Sequence, residues 1–262
     1  MGESGVLRDN KAIKLAVMAG VTMLASGAET ARVEDTMLRL MEKSGLKGCE
    51  AFCTTTGVFA SAEDVDGTPV TVIRRFDIRE NNFEKIARIN ELSRRYVEGK
   101  IDITQALKSL EYINALRPYP LIVRLLGAAV ASACFAYMVG GNIYHALGAF
   151  LSAFLMQIPV KLLERHGVVI FLRNIIGGAF GALFALIFVQ LGLADSIEYI
   201  IIGAIMPLLP GVALTNAIRD ILDGNMLAGS ARIMEAVLTA VAIAAGVGAA
   251  VSVWLSLGGM FT

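Results

Sequence analysis

Residues 121–139 read LIVRLLGAAVASACFAYMV, with Arg124 as their one charge. A bilayer core about 30 Å thick takes roughly 20 mostly apolar helical residues to cross, and this is the first stretch of the chain that supplies them. Four more follow at about 143–162, 168–191, 197–217 and 234–257, joined by short connections. Buried helices of a soluble protein are the only alternative of similar length, and five in succession do not fit that reading. The sequence therefore predicts an α-helical membrane protein with five transmembrane helices in residues 119–262, preceded by a separate α/β domain over 1–118.

Composition sharpens the division. The chain has 262 residues, 56% apolar, with no net charge and a mean hydropathy of +0.65. Residues 1–120 hold 17 of the 23 Lys and Arg and 17 of the 23 Asp and Glu, leaving six of each for the rest. Neutrality in both halves lacks the basic footprint of a nucleic-acid binder. Three cysteines, Cys49, Cys53 and Cys134, do not make a disulfide framework, and Cys49 with Cys53 has no second pair to complete a zinc site. Both histidines, His145 and His166, lie in the second half, so a histidine-dependent triad or a His-ligated metal in the first domain is excluded. No metal and no cofactor is expected. Met1–Lys14 is polar, so no cleavable signal peptide is expected either.

Loop charges set an orientation through the positive-inside rule. Gly140–Asn142 is uncharged, the second loop holds Lys161 and Arg165, the third only Asp195 and Glu198, and the fourth Arg219 and Arg232. This alternation places the N-terminal domain in the cytoplasm and Thr262 outside. Lys161, Arg165 and Arg219 are equally well explained as orientation signals alone.

In the first domain the apolar period changes from helical to alternating and back. Ile13, Val17, Val21 and Leu24 mark one helix, and Val33, Met37, Leu40 and Met41 a second. Short strands are expected at 50–54, 58–62 and 68–75, with Asp66-Gly67 as a hairpin signal. Helices follow at about 82–97 and 103–116, the latter capped by Asp102 with Gln105 three residues on. The segment Gly27-Ala-Glu-Thr-Ala-Arg-Val-Glu34 puts Glu29 and Arg32 on one helix face and Thr30 and Glu34 on another. Acid, hydroxyl and base would line a groove there, or form an ordinary charged helix start.

Helix breakers at membrane depth are costly and point to function. Pro207 and Pro210 lie within the fourth run, in Gly203-Ala-Ile-Met-Pro-Leu-Leu-Pro-Gly-Val-Ala-Leu-Thr-Asn-Ala-Ile-Arg-Asp220. They remove two amide donors and leave the carbonyls of Gly203 and Met206 without their usual partners. A half-helix restarting at Pro210-Gly211 would offer a partly positive N-terminus to a carboxylate; a plain proline kink fits the same residues. Arg173 and Asn174 stand before Gly177-x-x-x-Gly181, a spacing that permits close helix approach. Arg173 reads as a partner for an anionic substrate or for Asp220, or as an interfacial side chain. Asp220, with Asp223-Gly224-Asn225, reads as a gate, a proton relay or a solvated turn. Gln157 beside Pro159, and Asn142, Tyr144 and His145, are weaker candidates.

The two stretches Gly27–Glu34 and Pro207–Asp220 resemble the signature segments of the threonine/serine exporter family, of ThrE and YjjP type, and the resemblance runs from about Lys11 to Leu257. It implies an exporter of small amino acids such as threonine and serine, or of a dicarboxylate such as succinate, driven by the proton gradient across the inner (plasma) membrane. Because fused members carry a second all-membrane half, the chain looks like the split form, which implies a separate small membrane subunit, a homo-oligomer or both. By position, Glu29, Thr30, Arg32 and Glu34 match the first motif, and Pro207, Pro210, Gly211, Thr215, Asn216, Arg219 and Asp220 the second. With Arg173 and Asn174, the second set less Asp220 makes the expected substrate site; Asp220 is the expected proton-coupling group or gate. The family's soluble domain has been likened to hydrolases, which keeps two alternatives open: a membrane-anchored hydrolase-like enzyme, and a sensor or scaffold subunit.

Overall fold

The computed structural model describes residues 2–63, 67–76 and 81–258. The chain forms two compact units, one of residues up to Pro118 together with Val212–Ile233, the other of Tyr119–Gly211 together with residues from Met234 onward.

The first unit opens with α1 (Gly2–Ala25) and α2 (Thr30–Lys43), continues through β1 (Lys47–Thr54), β2 (Gly57–Glu63) and β3 (Pro69–Arg75), and then α3 (Phe83–Val97) and α4 (Ile103–Ala115). The strands make one antiparallel sheet in the order β1-β2-β3. Thr54 pairs with Gly57 across a two-residue turn, and β2 pairs with β3 in register from Gly57–Arg75 to Glu63–Pro69. Asp66 of the expected hairpin signal lies outside the described residues. Alternation along β2 buries Val58, Ala60 and Ala62 on one face, where they join the core built around α1. The four-residue stripe expected for α1 is too narrow. Ala12, Leu15, Ala16, Ala19 and Met23 are buried as well as Ile13, Val17 and Leu24, as befits a helix enclosed by its neighbours. Gly20 lets α2 approach, since a Cβ there would lie 2.4 Å from Met37 Sδ. Asp102 caps α4 by accepting from the amides of Thr104 and Gln105, and the Gln105 side chain accepts from the Asp102 amide.

In the second unit are α5 (Leu121–Met138), α6 (Ile143–Arg165), α7 (Ile170–Gln190), α8 (Ile197–Ile205) and a 3₁₀ turn at Met206–Leu208. After the break at Leu209-Pro210, α9 (Gly211–Leu222) belongs to the first unit from Val212 on, and α10 (Met226–Ser256) runs from the first unit into the second. Among the described residues α5, α6, α7 and α10 are long and apolar enough to cross a membrane; α8 and α9 make a fifth span only if taken together across the break. The fourth run, expected over 197–217 with a break at its prolines, is thus two helices, the second of which continues to Leu222. The last helix also starts earlier than the expected 234, at Met226.

Small residues set the helix approaches in the second unit. Gly203 of α8 lies against the Ser132 carbonyl, Ala136 and Ala149, and a Cβ on Gly148 would lie 2.8 Å from Ile200 Cδ1. The closest approach departs from the expected Gly177–Gly181 pair. A Cβ at Gly178 would lie 2.5 Å from the Ile243 carbonyl oxygen, and one at Gly246 would lie 1.9 Å from that of Ile175. The α7 and α10 backbones therefore touch at a reciprocal glycine crossing. Gly248, two residues on from Gly246 and on the other side of α10, has open space around it. Gly246→Val is expected to abolish the monodisperse peak of the purified protein in size-exclusion chromatography, whereas Gly248→Ala should leave elution unchanged.

Candidate functional site

The turn between α1 and α2 is tight and glycine-dependent, since Gly27 sits at φ +87° and a Cβ there would lie 2.6 Å from Asn81 Oδ1. The first turn of any helix leaves amides without intrahelical partners. Glu29 occupies the N-cap of α2, yet its side chain makes no capping hydrogen bond. The cap comes from α9 instead. Asp220 Oδ1 accepts the Thr30 amide at 2.9 Å, and Oδ2 accepts the Thr30 hydroxyl at 3.1 Å. Asp220 is fully buried, and its charge is balanced by Arg232, whose Nε lies 3.2 Å from Oδ2. The partly positive helix N-terminus adds to that balance.

The same segments exchange further hydrogen bonds. Asn216 Nδ2 donates to the Gly27 carbonyl at 2.8 Å, and Arg232 Nη2 donates to that of Ala28 at 3.0 Å. Arg219 pairs with Glu29, and Arg32 Nη2 stands 4.0 Å from the same Glu29 oxygen. Gly229 lets the start of α10 close on α9, for a Cβ there would lie 2.9 Å from the Ala217 carbonyl. Glu34 accepts the Cys53 amide at 2.7 Å and a hydrogen bond from the Asn225 side chain. Burial pushes the Glu34 carboxyl up, the Cys53 amide opposes this, and the nearby Asp220 adds to the rise. Burial likewise raises the Cys53 thiol, which leaves it a poor nucleophile packed 3.8 Å from Met37 Sδ.

Five expected site residues thus come together in the first unit: Glu29, Thr30, Asn216, Arg219 and Asp220, with Arg32 and Glu34 at the margins. Thr215 is exposed on α9. Arg232 was not among the expected site residues, and Asn225 was expected only as part of the Asp223-Gly224-Asn225 turn. The signal for Arg232 was a buried acid needing a counter-charge, but positive-inside reasoning had already explained it as a loop charge.

Arg173, Asn174, Pro207, Pro210 and Gly211 lie in the second unit. The two carbonyls expected to be orphaned by the prolines are not. The Met206 amide donates to the Gly203 carbonyl, and the Leu209 amide to that of Met206 at 3.2 Å. A 3₁₀ turn satisfies them by bonds one residue shorter. A Cβ at Gly177 of α7 would lie 2.9 Å from Leu208 Cδ1 in that turn. One turn earlier on α7, Asn174 is buried. Arg173 Nη1 lies 3.7 Å from Glu164 Oε1, and its Nε is buried without a hydrogen-bond partner among the described residues. The carboxylate of Asp220, by contrast, is filled by Thr30 and Arg232. The weaker candidates serve their own helices. Asn142 and His145 form a capping box on α6, with His145 Nε2 2.8 Å from Asp195 Oδ1 but not aligned for a hydrogen bond, and Gln157 donates to the Ala153 carbonyl. No cluster of metal-ligating side chains occurs among the described residues.

Removing one member of a buried ion pair strands the other and costs about 3–5 kcal/mol. Asp220→Ala should therefore lower the thermal unfolding midpoint sharply, and Asp220→Ala with Arg232→Met should recover part of the loss. Glu34 has the opposite sign. A carboxyl raised on folding contributes stability below about pH 4.5 that is lost as pH rises through its raised value. Glu34→Gln should unfold at a higher temperature than the parent at pH 7, and the gap should close at pH 4.

The family described as "Putative threonine/serine exporter" matches residues 14–254. Among curated proteins, the chain is 26% identical over 92% of its length to a "Probable threonine/serine exporter" of Mycobacterium tuberculosis, covering 46% of that protein. It is 28% identical over 90% of its length to a "Threonine/serine exporter" of Corynebacterium glutamicum, covering 50% of it. The chain thus spans about half the length of these two relatives. It is 25% identical to a "Probable succinate transporter subunit YjjP" of Escherichia coli, with 92% of this chain and 94% of that protein aligned. No solved structure matches. With a match over nearly its whole length and several helices fit to cross a bilayer, the chain is a multi-pass membrane protein that belongs to the threonine/serine exporter family.

Proposed function

We propose that this chain is a subunit of a secondary exporter. It moves small carboxylate-bearing metabolites out of the cytoplasm, threonine or serine in one case and a dicarboxylate such as succinate in the other, in exchange for protons. The observation that carries this reading is the set of bonds from Asn216, Arg219 and Asp220 to the Gly27–Thr30 turn. It builds the chain immediately after the twin-proline break into the first unit, so a rearrangement there is transmitted to the break through the backbone. An anchor for an enzyme requires neither the break nor that connection.

In this proposal the first unit is cytoplasmic and the C-terminus lies outside, in the inner membrane. Arg173 and Asn174, with the 3₁₀ turn and the N-terminus of α9, receive the carboxylate. Asp220 acts as the latch. A proton taken up there removes the charge that holds Arg232 and the α2 N-terminus, which is where the proton gradient enters the cycle. The near-complete alignment with a relative described as a transporter subunit supports a second, all-membrane subunit as partner, with self-association as the further possibility for assembly.

Efflux of labelled threonine, serine and succinate from cells carrying the chain and its partner tests the site. Asn216→Ala and Arg219→Ala each delete one polar contact and should lower efflux about tenfold with protein levels retained. Arg173→Gln should raise KM more than it lowers kcat. Unchanged efflux in all three variants removes the site assignment.

A further inference from the structure

The first unit holds a cavity of about 560 Å³ that the export reading does not use. Its volume lies within the range of small-molecule sites. Ile13, Val17, Val21 and Val72 supply an apolar lining from α1 and β3, extended by Met18. Lys14, Arg74 and Arg75 supply cations, and no acidic side chain among the described residues lines it. Lys14, Met18 and Val21 recur at helical spacing along one side of α1, while Arg74 follows Val72 by two residues and so shares its strand face. None of the three cations pairs with an acidic side chain among the described residues.

Of the neutral polar groups, the Thr22 hydroxyl and Asn114 Oδ1 are already committed. The Thr22 hydroxyl lies 2.8 Å from the Met18 carbonyl and 2.5 Å from Asn114 Oδ1. A ligand with an ammonium group would therefore meet three positive charges and no carboxylate. That excludes an amino acid on electrostatic grounds, and a compact dicarboxylate would strip water from five apolar side chains without covering them.

We propose that this cavity binds a small monoanion with an apolar body, a carboxylate of roughly medium chain length. The hydrocarbon lies along Val17, Val21 and Val72, and the carboxylate meets Lys14 and Arg74. Such a ligand is chemically distinct from the metabolites of the export reading. The site stands whether or not the transport reading does.

The test uses the full chain in phosphatidylcholine nanodiscs and a diazirine-bearing hexanoate, with a matching hexylamine as control. Light-dependent labelling should map to peptides within 11–25 and 69–76, be displaced by hexanoate, and be absent with the amine. Lys14→Gln with Arg74→Gln, both exposed positions, should weaken labelling at least fivefold. Val21→Trp, which fills the cavity, should abolish it. Equal labelling by the amine, retention in both variants, or labelling confined to residues 121–256 would overturn the proposal. So would displacement by threonine or succinate, which would make the cavity part of the export path. Loss of labelling when phosphatidylglycerol replaces phosphatidylcholine would overturn it too, by assigning the cations to a lipid headgroup.

Discussion

A carboxylate with no exposure to water holds the first unit together. Asp220 reaches α2 from 190 positions away in sequence, does the work that helix's own N-cap residue leaves undone, and carries a charge that Arg232 and the helix terminus offset. Burying such a charge is favourable only when each carboxylate oxygen finds a donor. The structure meets that demand with the Thr30 amide, the Thr30 hydroxyl and the Arg232 guanidinium. Asn216, Ala28 and Gly229 then follow as consequences, since each brings α9 and α10 close enough for the carboxylate to reach its partners.

The bilayer-length runs and the small sheet were legible in the sequence because each depends on period and length alone. The Asp102 cap was legible for a similar reason, since its partners lie within three residues. The site was read in two halves. Gly27–Glu34 and Pro207–Asp220 were recognised separately, but nothing local connects residue 30 with residue 220. Periodicity describes which face of a helix is apolar and is silent about which distant segment supplies a cap. The prolines marked the break in 197–217, but the apolar composition concealed that the helix after it belongs to the first unit. α9 has enough leucine and isoleucine to continue a span, with Leu214, Ile218 and Leu222 exposed, while its polar residues are used within the first unit.

The prolines illustrate a second limit. Loss of two amides is certain from the residue type, but the fate of the freed carbonyls depends on how the backbone tightens. Here a single 3₁₀ turn meets both, and Leu208 then packs at Gly177. The glycine pattern on α7 was read as a helix-packing motif, which it is. Gly177 serves the turn of the broken span, however, and its neighbour Gly178 serves α10.

That neighbour has a mechanical meaning. At the Gly178–Gly246 crossing each backbone rests directly on the other, with no side chain between them to deform. Presenting Ala179 in place of Gly178, or Val247 in place of Gly246, would drive a side-chain carbon into a carbonyl. Sliding in that sense is therefore blocked, while tilting about the point of contact displaces no side chain there. Within the second unit, the contact between α7 and α10 is shaped like the pivot of a pair of scissors, where a change of angle needs no side-chain clearance.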